Sequence, residues 1–304
     1  MIKSVTITNY LGESIKLELR RPGASGFYIE KIEGLGPSKA NINVTERSTM
    51  DGAYYTSAHA TARNIVITLG FLSSGNIEEV RHKSYKYFPL KKRVNIVIET
   101  DTRTCETYGY VESNEPDIFS KNEGTQISII CPDPYFYSFG PGSTTVTMFS
   151  GTEPMFEFPF SNNSLTDKLL EFGEIKTNET QTVFYSGDVE VGVTIYIHAT
   201  GNVSGPSIHN TTTGESMKID TLRLKTKTGS EIIAGDDIVI CTIKGQKSIR
   251  LIRDGVTYNI LNCIDKNTDW FQLTKGDNLF MYVADEGADN LQFRIENKTA
   301  YEGV

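Results

Sequence analysis

The chain has 304 residues, 38% of them hydrophobic and 22% charged, with a formal net charge of -8 at pH 7. That length suits two domains with cores of their own. The acidic balance argues against a face that grips nucleic acid, which needs clustered Lys and Arg, although an acidic channel that DNA slides through stays compatible.

The first elements alternate polar and apolar residues with period two. VTITNY and SIKLEL read as strands, and the N-terminus lacks the apolar core of a signal peptide. Cytosolic synthesis and folding are therefore expected. GLGPSKA (34–40) carries two glycines but neither the Lys-Ser/Thr nor the helix of a phosphate loop, and it reads as a long polar loop. NIVITLGF is a strand. Asn76 to Phe88 is the only stretch that looks helical. Ile77, Val80, Arg81, Tyr85 and Phe88 fall near one face, Glu78 and Glu79 occupy the first turn, and Pro89 ends the helix. VNIVIET and TQISII follow as strands.

The composition then changes at CPDPYFYSFGPGST (131–144). Pro132, Pro134 and Pro141 remove backbone donors, and Gly140 and Gly142 permit turns. This predicts a boundary between a first domain over 1–138 and a second over 139–304, with Tyr135, Phe136 and Tyr137 buried at the seam. STTVTMF, MFEFPF, GVTIYIH, DIVICTI, KSIRLI, VTYNIL, WFQL, LFMYV and LQFRI read as strands with no helix among them. Asp254-Gly255 predicts a two-residue hairpin turn with positive φ at both positions. The expected fold is all-β with one short helix, the second domain being a β-sandwich. No apolar run of 18 residues exists to span a membrane.

Chemistry is sparse. Cys105, Cys131, Cys241 and Cys263 are scattered, without a CxxC pair, and read as buried free thiols. His59, His82, His198 and His209 form no metal-ligand spacing, although His198 and His209 flank a turn and could converge. Asp133 beside Cys131 would raise a thiol pKa, the wrong direction for a nucleophile. Asp236-Asp237 reads as a turn into a strand. The sequons at Asn43, Asn162, Asn178, Asn202, Asn210 and Asn297 carry no meaning without a secretion route. Neither a catalytic residue nor a cofactor or metal site is expected. Trp270 is the one candidate for stacking against a glycan, with packing the stronger reading.

Taken together, GLGPSKANINV, DGAYYTSAHATARNIVITLGF, IEEVRHKSYKYFP and ETDTRTCETYGYVESNEPDIFSKNEGTQISIICPDPYF resemble the first half of distal tail proteins of siphophages infecting Gram-positive bacteria. GNVSGPSIHNTTTGESMKI, GDDIVICTIKGQKSIRLIRDGVTYNIL, DWFQLTKGDNLFMYVADEG and YEGV resemble the second half. The resemblance implies an N-terminal ring domain of β-barrel or split-barrel kind and a C-terminal galectin-like sandwich. It implies a non-enzymatic, hexameric hub at the distal end of a tail tube, in the virion or in a tail-like bacteriocin. Its partners would be the tube protein, a tail-associated protein and receptor-binding proteins, with neither sequence-specific nucleic-acid binding nor membrane insertion. Ring-contact candidates are Gly34, Gly36 and Lys39 in the polar loop and Glu78, Arg81 and Tyr85 on the helix. The alternative is a carbohydrate-binding sandwich that contacts the host wall. Inserted wall-binding modules of some relatives have no room here.

Overall fold

The computed structural model describes residues 1–21, 25–47, 51–72, 76–119, 123–153, 174–177 and 180–304. The chain divides into two compact units, Met1–Ser143 with Ala300–Val304, and Thr144–Thr299. The expected strand MFEFPF lies outside the described residues.

The first unit contains β1 (Ile2–Thr8), β2 (Ser14–Glu18), β3 (Phe27–Glu33), β4 (Ala40–Glu46), β5 (Ala53–Ala60) and β6 (Arg63–Phe71). It continues with α1 (Ile77–Tyr87), β7 (Arg93–Thr100), β8 (Thr104–Asp117), β9 (Gly124–Cys131) and β10 (Phe136–Ser138). The main sheet runs in the order β2-β1-β7-β8-β9-β6-β3, all neighbours antiparallel. Its end strands β2 and β3 approach each other, but among the described residues no ladder joins them, so the sheet curls without closing. This is the split form of the expected barrel.

Period-two burial explains the pairing. Ile65, Ile67 and Leu69 of β6, Val94, Ile96 and Ile98 of β7, and Ile127, Ile129 and Cys131 of β9 all point into one core. A one-residue slip of any strand would carry its whole apolar set into water, which fixes the register. Each fully buried branched residue contributes about 1.5–3 kcal/mol.

Helix α1 begins where its sequence predicts. The Asn76 side chain accepts from the Glu78 N–H at 3.1 Å and donates to Glu79 at 3.2 Å, so the cap and the first turn satisfy each other. Its inward face agrees with the expected one at Ile77, Val80 and Phe88 and differs at Tyr85. Ile77, Val80 and Tyr87 pack on the core, Ser84 is fully buried, and Tyr85 points to solvent. Positions 77, 80, 84 and 87 follow the 3.6-residue period. Ser84 is tolerated inside because its hydroxyl donates to the Arg81 carbonyl at 2.7 Å.

The second unit contains β11 (Thr144–Met148), β12 (Ser150–Glu153), β13 (Glu174–Thr177), β14 (Thr180–Tyr185), β15 (Val191–Gly192), β16 (Thr194–Ala199), β17 (Ser207–Asn210) and β18 (Glu215–Lys218). After these come α2 (Thr221–Thr228), β19 (Asp237–Cys241), β20 (Ser248–Arg253), β21 (Val256–Asn259), β22 (Gln272–Leu273), β23 (Gly276–Val283) and β24 (Leu291–Lys298). A six-stranded sheet, β11-β24-β16-β19-β20-β21, and a four-stranded sheet, β14-β23-β17-β18, make a sandwich. Tyr282 of β23 stacks on Phe293 of β24 with ring centroids 4.2 Å apart, and Phe149 meets both rings. Asp254 and Gly255 have φ of 51° and 76°, the two left-handed positions expected of the β20–β21 hairpin.

Helix α2 corrects the expectation of a single helix. In TLRLKTKT, Leu222 and Leu224 alternate with polar residues and imitate a strand. The ends decide otherwise: Asp220 accepts from the Arg223 N–H at 3.1 Å, and Gly229 closes the helix at φ 88°.

A last strand, β25 (Ala300–Tyr301), belongs to the first unit and pairs with β10, Phe136 opposite Tyr301. A single cut in the chain cannot separate the units for that reason. The aromatic cluster lies wholly in the first unit. Phe136 is buried in its core, and Tyr135 and Tyr137 are half-buried.

Candidate assembly surface

Strands β4 and β5 form a two-stranded ribbon that pairs with no strand of the main sheet among the described residues. Every residue of β4 is exposed, as is all of β5 except the half-buried Ala60. Ile42, Val44, Tyr54 and Tyr55 are 59%, 56%, 59% and 68% exposed. An isolated hairpin is marginal in water, and side-chain pairs help hold this one. Asn43 donates to the Ser57 hydroxyl at 2.9 Å, and the Arg47 guanidinium sits 3.8 Å from the Tyr54 ring centroid. The arm therefore exposes large apolar side chains along both of its strands.

The root of the ribbon, by contrast, is closely packed and hydrogen-bonded. Gly34 has φ 81°, and a Cβ there would lie 2.0 Å from the Asn64 carbonyl oxygen, so only glycine fits. The Lys39 carbonyl accepts from the Thr61 N–H at 2.9 Å and from its hydroxyl at 3.0 Å.

Arg63 organises this root. Its side chain shares the inward phase of Ile65 and Ile67, and the residue is 3% exposed. The guanidinium donates to the carbonyls of Gly34 at 2.5 Å, Pro134 at 2.7 Å, Glu302 at 2.6 Å, and Gly36. It also lies 4.3 Å from the Phe136 ring centroid. Among the described residues no carboxylate reaches ion-pair distance of it. Burial pushes its pKa down, and nearby Cys131 and Asp133 oppose that shift. A buried charge is held here by oriented carbonyl dipoles and a π-face.

Asp133 caps the turn beside it. It accepts from the Tyr135 N–H at 3.1 Å and the Tyr137 hydroxyl at 2.7 Å. Cys131 is buried and its thiol is pushed up to about 11, mainly by burial, which suppresses the thiolate a nucleophile needs.

The sequence-predicted contact residues fall into two groups. Gly34 and Gly36 give their carbonyls to Arg63, and Lys39 adjoins the first residue of β4, so all three form the root rather than the exposed arm. On α1, Glu78 and Tyr85 are exposed, whereas Arg81 is mostly buried between Glu78 at 3.7 Å and Glu123 at 4.0 Å. The ribbon strands themselves were missed. The alternation of Ile42 and Val44 was visible, but not that it faces outward.

In the second unit, Trp270 is half-buried with the Lys247 ammonium 5.0 Å from its ring centroid, so that face is not open for stacking. A polar hollow of about 340 Å³ beside α2 is lined by residues including Asn202, Ser204, Lys225 and Glu286, none of them aromatic. His198 pairs with Asp237 at 2.7 Å on the six-stranded sheet, and His209 meets Ser207 at 3.1 Å on the four-stranded one, so they do not converge. All four cysteines are buried free thiols.

The chain is a two-unit, mostly β protein with an exposed ribbon in the first unit and a sandwich in the second. Residues 186–298 match the family described as siphovirus-type tail component, C-terminal domain. The crystal structure of the Dit protein (gp 19.1) of phage SPP1, described as a paradigm of the hub adsorption apparatus in Gram-positive-infecting phages, shares the fold. Its TM-score is 0.66 at 12% identity over 97% of this chain and 99% of that one. A chain of the phage P2 baseplate in its activated conformation with Ca follows at TM-score 0.50 and 12% identity, over 98% and 99%. No curated protein sequence matches. The second unit thus carries the match to the siphovirus-type tail component domain, and the resemblance to siphophage distal tail proteins holds.

Proposed function

We propose that this chain is a structural, non-enzymatic hub subunit of a siphophage tail tip or of a phage-tail-like particle. Six copies form a ring at the distal end of the tail tube. The ring joins the tube to the tail-associated and receptor-binding proteins. The observation that carries the reading is the β4–β5 ribbon, with four large apolar residues held in water. A head-to-tail contact in which each ribbon lies on the next copy closes into a ring when the rotation permits. The contact would cover the apolar residues and shield ribbon edges that otherwise invite aggregation. On this reading Glu78 and Tyr85 are also available to a neighbour.

Native mass spectrometry of the purified chain tests the reading, with six copies expected. Tyr55→Asp together with Val44→Asp should give a folded monomer with unchanged circular dichroism. A strictly monomeric wild-type protein at high concentration, or a hydrolytic activity abolished by mutating one carboxylate, would overturn it.

A further inference from the structure

Residues 300–304 follow the entire second unit in the chain, yet they are built into the first. What they touch is specific. Tyr301 pairs with Phe136 and lies under the Arg103 guanidinium, 4.6 Å from ring centroid to Cζ. The Glu302 carbonyl accepts from Arg63 at 2.6 Å. The Val304 N–H donates to the Leu35 carbonyl at 3.0 Å. Gly303 runs so close to the loop that a Cβ on it would lie 3.1 Å from the Leu35 oxygen and 3.3 Å from the Gly36 Cα.

Leu35 and Gly36 are the root of the ribbon, and Arg63 binds both that root and the returning segment. A two-residue strand is too short to hold itself in place. Its hold comes from the convergence of the β10 ladder, the buried guanidinium and the Val304 bond. Without residues 300–304, Arg63 loses one of four carbonyl acceptors and the Leu35 carbonyl loses its donor. The loop from Gly34 to Lys39 then keeps two glycines with less to restrain them.

We propose that residues 300–304 are a strap that sets the root of the β4–β5 ribbon, so that the ribbon becomes competent for assembly only after the second unit has been made. A chain that stops at Thr299 holds every strand of the main sheet path, but its arm is unset. The device keeps incomplete chains out of the assembly. It rests on the reading of the ribbon as the contact between copies, and it adds what controls that contact.

The test compares the full chain, the same chain ending after Thr299, and Val304→Pro, which deletes the N–H donor to Leu35 and trims the Val304 packing on the core. Hydrogen exchange read by mass spectrometry reports the root (33–41) directly, and native mass spectrometry reports assembly. In the shortened chain, root exchange should rise about tenfold and the protein concentration needed for the oligomer about tenfold, while sandwich peptides stay unchanged. Val304→Pro should give a smaller change of the same sign, and it decides the matter if the shortened chain does not fold. Unchanged root exchange in either folded variant overturns the strap. So does faster root exchange with unaltered assembly, because it removes the link between the two. A wild-type chain that never assembles defeats the proposed function instead, and the strap's link to assembly falls with it, while root exchange still reports whether the segment holds the loop.

Discussion

The Arg63 guanidinium donates to the Glu302 carbonyl oxygen at 2.6 Å, across 239 positions of sequence. The same side chain holds Gly34, Gly36 and Pro134. One residue therefore gathers the ribbon root, the proline-rich turn and the returning segment.

Arg63→Met should destabilise the first unit by about 3–5 kcal/mol, because it leaves several carbonyls without their donor in a site that excludes water. Arg63→Lys should recover only part, since an ammonium cannot span acceptors set around a planar fork. Urea unfolding followed by a probe in each unit checks this. The second unit's transition should not move.

Two glycines with positive φ should respond differently. Gly34→Ala places a Cβ against the Asn64 carbonyl and should cost at least about 3 kcal/mol through strain and displacement. At Gly255 nothing lies within 4 Å of an added Cβ, so Gly255→Ala carries only the conformational cost, about 1 kcal/mol. Thermal melts of the two variants distinguish a blocked position from an open turn.

Cys131 makes stability depend on alkaline pH. Its thiol is raised from 9.0 to about 11 in the fold, so the folded state keeps a proton that the unfolded chain releases. The contribution is intact below pH 9.0 and is lost as pH rises toward 11, at about 1.4 kcal/mol per unit. Unfolding at several pH values, compared with Cys131→Ala, isolates it: the wild-type advantage should shrink from pH 9 to 11.

In the second unit, Arg253 donates to Asp236 at 2.7 and 2.5 Å, and to the Ser230 hydroxyl and the Glu231 carbonyl. Asp236 is almost fully buried and also caps the Ile233 N–H at 3.0 Å. This hydrogen-bonded pairing pushes the Arg253 pKa up. Asp236→Ala should cost about 3–5 kcal/mol, since it strands a buried cation. Asp236→Ala with Arg253→Met should recover part of that loss, which a double-mutant cycle measures.

Much of the molecule was legible because its causes are local. Helix α1 is bounded by an Asn cap and Pro89, and Asp254-Gly255 demanded a left-handed turn. Helix α2 went unrecognised because it is short and Leu222 and Leu224 alternate with polar residues, although its Asp220 and Gly229 caps carried a signal. Arg63 also left a trace, a charge in phase with Ile65 and Ile67. Nothing near it in the chain names its acceptors, which come from positions 34, 36, 134 and 302.

Period-two burial, turn type and helix caps depend on residues a few positions apart, so the chain itself determined its strands' phases, its sharpest hairpin and its all-β class. The order of strands in the open sheet, the return of residues 300–304 and the exposure of Ile42, Val44, Tyr54 and Tyr55 were decided only in three dimensions. The physical reason is that an apolar alternating strand looks the same whether its partner is its own core or another molecule. Only the packed structure shows that the core of the first unit is filled without the ribbon.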